Sequence, residues 1–292
     1  MELTFIPAKG EQLWPLHQNT PCSQQLIAGT TLRNQQTQQA SSVSHIEHAS
    51  QIENAWISRA DWEAFARQLS TSTACFVLKS ADGDILAWAG DPSGPAVTAS
   101  DDSFLILFPW QFIQVNEQIV SKLDQNNHSG DISPAAHIDG IVHLGKGSRI
   151  LPGVVIEGNC VIGENCKIGP NCYLRGSTTI GDQCHIGQAV EIKNSIVGHG
   201  SSIGHLSYVG DSVIGNHVNF GAGTITSNLR HDGLNHRSTV KGSLIDTGRR
   251  KFGAIVGDGT HTGIHTAIYP GRKLGPNSST RPNETVQRDL ES

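Results

Sequence analysis

The sequence predicts a mainly β protein, in which a left-handed parallel β-helix of hexapeptide repeats follows a small α/β domain. The first observation is an apolar residue at every sixth position over ten successive hexads: Ile138, Leu144, Ile150, Ile156, Ile162, Ile168, Leu174, Ile180, Ile186 and Ile192. A fixed short period is typical of a solenoid, in which three hexads close one triangular coil. The second observation is composition, because 32 glycines suit tight turns and aromatic residues make up only 5% of the chain.

Residues 1–123 are predicted to form the α/β domain. A strand is expected from Glu2 to Ala8, and irregular structure is expected over the Gln- and Ser-rich segment 30–50. Ser58 and Asp61 resemble a capping box, which predicts a helix through Leu69. Three more elements are predicted: a hairpin over 75–88, a strand over 104–108 and an amphipathic helix over 110–123.

The polar segment 124–134 is predicted to be a linker, and the β-helix is predicted over 135–287. The repeat shortens to five residues between Ile192 and Val197, and again between Val209 and Ile214. It breaks over 226–253, a polar inserted loop, and then resumes at Val256. An insertion in a regular solenoid is a frequent place for function.

Four cysteines occupy the same position of the repeat, four residues after the repeat apolar residue: Cys160, Cys166, Cys172 and Cys184. Other hexads place Ser148, Val154, Thr178 and Val190 there, so the position requires a small side chain. Zinc sites need more closely spaced cysteine pairs. The cysteines are therefore predicted to be buried packing residues, which favours a reducing cytoplasm.

The overall charge and hydropathy argue against two classes of partner. The formal net charge is −5 and charged residues make up 16%, so no basic surface for nucleic acid is indicated. The sequence has no apolar run of 18 residues and no signal-peptide pattern. We therefore expect no nucleic acid or membrane partner, and a cytoplasmic location.

The solenoid has more polar side chains between residues 175 and 228 than its turns require. They are Arg175, Glu191, Lys193, His205, Tyr208, Asn219 and Asn228. Arg175, Lys193 and Tyr208 are suited to hold a phosphate, and His205 is suited to act as a general base near neutral pH. Taken singly, each is more typical of a solvated turn. Because flat prism faces pack side by side, a homotrimer with ligand sites between chains is predicted.

Two long motifs resemble the acetyltransferase half of the bifunctional glucosamine-1-phosphate acetyltransferase/N-acetylglucosamine-1-phosphate uridylyltransferase family. They are GHLSYVGD at 204–211 and NFGAGTIT at 219–226, and Arg175 and the run VEIK at 190–193 match at the family's spacing. Segments 228–230 and 247–254 look most like the archaeal-type branch. The resemblance covers roughly residues 135–287.

The resemblance implies transfer of an acetyl group from acetyl-CoA to the amino group of an amino-sugar 1-phosphate, without a metal. His205 would take the proton from the attacking amine. Arg175, Lys193 and Tyr208 would hold the sugar phosphate, with Asn219 near the sugar. Glucosamine and galactosamine 1-phosphate, which differ at one hydroxyl, are both consistent with this set.

The resemblance also implies contacts with the acetyl donor. Asn228 of an adjacent subunit would orient the acetyl group, and the Ala222 backbone would meet the pantetheine arm. From charge and position in the sequence, we expect Lys273 or Arg272 to meet the phosphates of acetyl-CoA.

Two positions in the insert depart from the family's pattern. Leu229 stands where bacterial members have Tyr, although the archaeal-type branch shares the Leu. Leu234 stands where members of both branches usually have Lys, which makes substrate affinity or choice uncertain at that position.

The N-terminal segment AKGEQLWPL at 8–16 resembles the nucleotide-binding signature of sugar-1-phosphate nucleotidyltransferases. Ala8 replaces the first Gly of that signature, Gln12 replaces its Arg, and Cys22 stands where Lys is expected. Those cations neutralise a triphosphate, so their loss predicts that nucleotidyl transfer is absent. Since the domain is about half the family's usual length, we interpret it as a reduced nucleotidyltransferase-like domain.

Two other functions compete with the acetyltransferase hypothesis. One is a non-catalytic, sugar-phosphate-binding or scaffold trimer derived from such an enzyme. The other is a zinc-dependent hydratase of the γ-carbonic-anhydrase type, with His199, His205 and His217, or His261 and His265, as ligands. The spacing of these histidines does not reproduce that family's ligand pattern.

Overall fold

A computed structural model describes residues 2–8, 10, 12–16, 21–43, 46–70 and 75–291. The chain forms two compact units. The first comprises Met1–Leu13, Thr20–Gln25 and Thr30–Phe108, and the second comprises Trp14–Asn19, Leu26–Gly29 and Pro109–Ser292.

The first unit contains a mixed five-stranded sheet and two helices. The elements are β1 (Glu2–Ile6), a 3-10 helix (Cys22–Gln24), β3 (Thr30–Thr31), α1 (Leu32–Ser41), β4 (His48–Ile52), β5 (Ala55–Trp56), α2 (Arg59–Ser70), β6 (Phe76–Lys79), β7 (Ile85–Ala89), β8 (Ala96–Thr98) and β9 (Phe104–Leu105). The strand order in the sheet is β1-β4-β7-β6-β8, with β1 parallel to β4 and β6 parallel to β8. The predicted hairpin is confirmed, because β6 and β7 pair antiparallel.

The two helices of this unit test the prediction in opposite ways. Helix α2 is confirmed, and the Ser58 hydroxyl accepts from the Asp61 backbone N–H at 3.2 Å. The expectation of irregular structure over 30–50 is wrong, since α1 lies there, capped by Thr31. Helix α1 has no apolar period to reveal it, and the amide of its buried Gln36 donates to the Ala55 carbonyl at 2.8 Å.

The second unit is a left-handed parallel β-helix, as predicted. Its strands form three sheets, which we call faces 1, 2 and 3. Face 1 contains β10 (Asn127–His128), β13 (Val142–Leu144), β16 (Cys160–Ile162), β19 (Thr178–Ile180), β22 (Ile196–Val197), β25 (Val213–Ile214), β30 (Ala254–Val256) and β32 (Arg272–Leu274). Face 2 contains β11 (Asp131–Ile132), β14 (Arg149–Ile150), β17 (Lys167–Ile168), β20 (His185–Gln188), β23 (Ser202–His205) and β26 (Asn219–Phe220). Face 3 contains β12 (His137–Asp139), β15 (Val155–Glu157), β18 (Tyr173–Arg175), β21 (Glu191–Lys193), β24 (Tyr208–Gly210), β27 (Ile225–Thr226), β31 (Ala267–Ile268) and β33 (Thr285–Val286).

The repeat residues and the four predicted packing cysteines form one buried core inside the prism, so the packing prediction is confirmed. Segment 124–134, predicted to be a linker, already contributes β10 and β11. Ile132 lies six residues before Ile138, so the repeat begins one hexad earlier than the predicted boundary.

Helix α3 (Gln111–Val120) and β2 (Leu26–Ile27) also belong to the second unit. The sequence placed this helix within residues 1–123, but its Asn116 is bonded to the solenoid. The Asn116 amide donates to the Ser177 carbonyl at 2.9 Å and its oxygen accepts from the Thr179 hydroxyl at 2.7 Å. These contacts group the helix with the β-helix.

The inserted segment leaves face 3 after β27 and returns to face 1 at β30. It carries an antiparallel hairpin of β28 (Arg237–Val240) and β29 (Ser243–Asp246). Its turn places Lys241 and Gly242 at φ of 47° and 81°, which suits a tight two-residue connection. Among the residues that the structure describes, no helix is long and apolar enough to cross a membrane.

Candidate functional site

Stacking of the coils brings three predicted phosphate ligands onto face 3. Arg175 pairs in register with Lys193, and Lys193 pairs with Gly210. In the adjoining row, Glu191 pairs with Tyr208. Because neighbouring strands lie about 4.8 Å apart, Arg175, Glu191, Lys193 and Tyr208 occupy one patch of face 3. We call it the phosphate patch after the role predicted for three of these residues.

Lys193 is paired with a carboxylate that the sequence analysis did not single out. Its Nζ lies 2.9 Å and 2.7 Å from the two carboxylate oxygens of Asp211. The exposed fractions of the two side chains are 14% and 3%. A charge buried to this degree requires a partner, so Asp211 fixes where the ammonium lies.

A column of corner residues, where face 3 turns into face 1, explains the position of Asp211. Because the coils here contain 17 residues, Asn194, Asp211 and Asn228 stack at successive corners. The Asn194 amide donates to Asp211 Oδ1 at 3.0 Å, and the Asn228 amide donates to Asp211 Oδ2 at 2.6 Å. The Asn228 amide also donates to the Tyr208 hydroxyl at 2.9 Å. Asn228 thus lies on the phosphate patch of its own chain.

Gly210 keeps this patch open. A Cβ atom at Gly210 would lie 2.4 Å from the Tyr208 hydroxyl oxygen and 2.7 Å from the Asn228 amide nitrogen. These separations are too short for a side chain, so the Tyr208–Asn228 hydrogen bond requires glycine at this position.

The second cation of the patch, Arg175, is also paired with an acid. Its Nε and Nη2 lie 2.7 Å from Glu191 Oε1, and about a third of each side chain is exposed. Burial raises the pKa of the Tyr208 hydroxyl, and the carboxylates of Asp211 and Glu191 add to this effect. Tyr208 is therefore a neutral hydrogen-bonding group at physiological pH.

The proposed base and its neighbours lie elsewhere on the coil. His205 ends β23 at the corner between faces 2 and 3, where it is exposed, and Asn219 is exposed on face 2. Ala222 follows one coil later, and the adjacent Gly223 N–H donates to the His205 carbonyl at 3.1 Å. Within one chain, the structure thus separates His205, Asn219 and Ala222 from the phosphate patch.

Lys273 does not present its ammonium at the surface. It is 3% exposed, donates to the Thr239 carbonyl, and lies 5.3 Å from the ring centre of Trp14. Burial lowers the pKa of this amine. Contact with the phosphates of acetyl-CoA, expected from charge and position alone, would require the side chain to leave these partners. Arg272 lies nearby, with Nη1 3.6 Å from Asp289.

The histidines proposed for a zinc site lie at different corners. His199 and His217 lie between strands of faces 1 and 2, whereas His205 lies between faces 2 and 3. In the part of the chain that the structure describes, no three His, Cys, Asp or Glu side chains are grouped to hold a metal ion.

A groove of about 550 Å³ adjoins the phosphate patch. Ile225, which pairs in register with Tyr208, forms part of its wall together with Leu229 and Tyr269. Leu229 is 49% exposed, and Leu234, the other departure from the family pattern, is 62% exposed. The groove offers room for a small molecule beside Ser227 and Leu229.

The N-terminal signature is only partly described. Lys9 and Glu11 lie outside the described residues. The Gln12 backbone N–H donates to the Leu107 carbonyl at 2.7 Å, and Cys22 is buried at the start of the 3-10 helix. The absence of nucleotidyl transfer stays a prediction.

The sequence analysis missed Asp211 and Asn194 as part of the site. Asp211 was visible as the last residue of the motif at 204–211. Asp211 lies one 17-residue coil before Asn228, and Asn194 lies two such coils before it. The shortened repeat therefore identifies both residues from Asn228.

Part of the chain is similar to known proteins. The GMPPB C-terminal domain family matches residues 156–262. A bifunctional sugar-1-phosphate nucleotidylyltransferase/acetyltransferase of Sulfurisphaera tokodaii is 43% identical over 182 residues, covering 62% of this chain and 45% of that protein. The bifunctional protein GlmU of Methanococcus maripaludis is 41% identical over 183 residues, covering 63% of this chain and 44% of that protein.

Among solved structures, a Francisella novicida UDP-N-acetylglucosamine acyltransferase matches with 15% identity and a TM-score of 0.31, covering 56% of this chain and 63% of that chain. The chain spans somewhat less than half the length of the two archaeal relatives. Over about 62% of its own length, the chain is similar to this bifunctional sugar-1-phosphate nucleotidylyltransferase/acetyltransferase of Sulfurisphaera tokodaii.

Proposed function

We propose that this protein is an acetyl-CoA-dependent N-acetyltransferase that acts on an amino-sugar 1-phosphate. The observation that carries the proposal is the hydrogen-bonded set of Lys193, Asp211, Asn228 and Tyr208 beside Arg175 on face 3. Two cations, a neutral phenol and an amide provide donors for phosphate and sugar oxygens. The archaeal relatives support the same reading by name.

The patch binds phosphate by sharing cations that acids already hold. Lys193 uses its ammonium on both oxygens of Asp211, and Arg175 uses Nε and Nη2 on Glu191. One Lys193 ammonium proton and the other Arg175 N–H groups are left to donate to a phosphate. We therefore expect phosphate binding that is selective but not strong. A phosphate that arrives here adds to two existing ion pairs and does not fill an uncompensated positive site.

The proposed reaction requires a general base and the acetyl-CoA thioester. The sugar's neutral amine attacks the acetyl carbonyl carbon and forms the N–C bond of a tetrahedral intermediate, and collapse of that intermediate breaks the C–S bond to CoA. His205 takes the proton from the amine nitrogen and passes it to the departing thiolate, which leaves as the thiol. Backbone N–H groups would stabilise the oxyanion of the tetrahedral intermediate. The step requires no metal.

We further propose that the complete site forms between protomers of a homotrimer. His205 and Asn219 lie at the corner and face next to face 3, so a neighbouring chain can present them to the phosphate patch of this chain. The Ala222 backbone would then line the path of the pantetheine arm. A cytoplasmic location, where acetyl-CoA is made and used, fits this proposal.

The proposal is tested by CoA thiol release from acetyl-CoA with a panel of acceptors. Glucosamine 1-phosphate and galactosamine 1-phosphate are compared with glucosamine 6-phosphate and free glucosamine. We expect turnover with a 1-phosphate and little with the other acceptors, because the face 3 patch must hold the phosphate. Thiol release that is equal for all four acceptors, or absent for all, would overturn the proposal.

A scaffold function is the second candidate, and one observation favours it. In the insert, an exposed Leu234 stands where the family it resembles usually has Lys, so one cation of that family's pattern is missing here. Calorimetry separates the two readings: a scaffold binds the sugar phosphate without any thiol release in the presence of acetyl-CoA.

A further inference from the structure

Glu117, on helix α3, binds both the inserted segment and the corner of the site. Its two carboxylate oxygens accept from the guanidinium of Arg249, at 2.6 Å and 3.1 Å. Oε1 also accepts from the Asn194 amide at 2.6 Å. A fork-to-fork ion pair of this kind fixes orientation as well as charge.

Asn194 connects Glu117 to the phosphate patch. Its amide nitrogen carries two protons, one donated to Glu117 and the other to Asp211 Oδ1 at 3.0 Å. Asp211 in turn holds Lys193 and accepts from Asn228. The position of the carboxylate that governs Lys193 therefore depends on Glu117 through one intermediate residue.

The path then returns to Arg249 through the insert. The carbonyl of Asn228 accepts from Nε2–H of His236 at 3.0 Å, and the His236 backbone N–H donates to the Arg249 carbonyl at 2.8 Å. Since Arg249 binds Glu117, the hydrogen bonds close into a ring. The ring runs through Glu117, Asn194, Asp211, Asn228, His236 and Arg249.

We propose that Glu117 is a positioning residue for the sugar-phosphate site, because this ring fixes Asn228 and Asp211 relative to each other. The proposal rests on the proposed function for its substrate. The Arg249 side chain is 18% exposed and that of Glu117 33%, so the pair is partly buried and also contributes to stability. A role in positioning is therefore distinguished from a role in folding by comparing the affinity for the sugar phosphate with the affinity for acetyl-CoA.

The test compares Glu117→Ala and Arg249→Ala with Asp124→Asn, which removes an exposed carboxylate four residues beyond the same helix. Calorimetry with glucosamine 1-phosphate should give a Kd raised roughly tenfold in Glu117→Ala, since a small misplacement of binding groups has effects of this size. The KM for acetyl-CoA should stay close to wild type, whereas the thermal unfolding temperature should fall because Arg249 loses its counter-ion. Asp124→Asn should match wild type throughout.

Adding Arg249→Ala to Glu117→Ala should change the Kd much less than Arg249→Ala does alone, because the two residues act through one contact. Independent effects, or equal losses of sugar-phosphate and acetyl-CoA affinity, would show a structural role and overturn the proposal.

Hydrogen exchange supplies a readout that does not need a substrate. The backbone amides of His236 and Phe252, which donate to the Arg249 and Asn228 carbonyls, should exchange faster in Glu117→Gln than in wild type. If wild type neither binds nor acetylates any amino-sugar phosphate, the proposed function fails, and this exchange measurement alone decides the ring. Unchanged exchange would overturn the positioning role in either case.

Discussion

Lys193 and Asp211 form an ion pair in which one ammonium meets both oxygens of one carboxylate, at 2.9 Å and 2.7 Å. The pair lies where face 3 turns into face 1, with most of both side chains buried. Asp211 at this corner has φ of 48°, a left-handed conformation that aspartate tolerates better than most residues. A corner residue of the solenoid thus serves as the counter-ion of a candidate substrate ligand.

Asp211→Asn should lower the free energy of unfolding by about 3 kcal/mol, because it leaves the buried Lys193 ammonium without a counter-ion. Glu191→Gln, at the more exposed pair with Arg175, should lower it by no more than about 1 kcal/mol. Urea unfolding at one fixed protein concentration measures both. Equal losses in the two variants would contradict the difference in burial as the cause.

His205→Ala should reduce the acetyl-transfer rate by roughly 10²–10⁴, the range expected for loss of a general base. Stability should change little because His205 is exposed at a corner and does not enter the prism core. His199→Ala, at the corner between faces 1 and 2, is the matched control and should retain the rate. Steady-state thiol release measures both, and full activity in His205→Ala would remove the residue from the mechanism.

Mixed trimers of His205→Ala and Asn228→Ala chains should regain part of the activity that each variant lacks. If the site forms between chains, some interfaces in a mixed trimer contain both intact residues. Light scattering first establishes that the protein is a trimer and that the two chains have exchanged. Verified mixed trimers without recovered activity, or a monomer at micromolar concentration, would rule out the shared site.

Gly210→Ala should raise the KM for the sugar phosphate about tenfold or more, because the added methyl would separate the Tyr208 hydroxyl from the Asn228 amide. The comparison is Gly204→Ala in the neighbouring strand β23, where an added Cβ has no heavy atom within 4 Å. Steady-state kinetics with varied acceptor concentration provides the test. A normal KM in Gly210→Ala would show that the patch tolerates a wider separation.

Acid should destabilise the fold through His236. Burial lowers the pKa of this side chain, and the nearby Arg230 lowers it further, although hydrogen bonds to the Asn228 and Arg250 backbones oppose the shift. The unfolded chain therefore binds a proton near pH 6.5 while the folded chain does not. Stability should fall as the pH drops below about 6.5, until the lower folded pKa is reached.

Urea unfolding at pH 7.5 and pH 5.5 measures this dependence, and His236→Gln should make it shallower. His231→Gln, an exposed histidine in the same insert, should leave the dependence as in wild type. The same pH dependence in wild type and His236→Gln would assign the effect to other groups.

The sequence by itself determined the β-helix, the buried cysteines and the region of the candidate site. Each of these follows from a local rule, because the position of a residue within its hexad determines whether its side chain points inward and where the chain turns. The shortened steps after Ile192 and Val209 even determined the 17-residue coils that align Asn194, Asp211 and Asn228. Residues in such a column are close in space and are separated by a fixed number of residues in the sequence, so their proximity can be predicted.

The tertiary structure alone decided the contacts that do not follow the repeat. Glu117 and Arg249 meet across 132 residues, because helix α3 lies on the β-helix and the insert returns there. Lys273 is charged and late in the solenoid, yet the hairpin of the insert covers it, and the Thr239 carbonyl accepts a hydrogen bond from its ammonium group. The polar helix α1 escaped prediction because two backbone carbonyls accept from the amide of its buried Gln36, and hydrogen bonds of that kind leave no apolar period in the sequence.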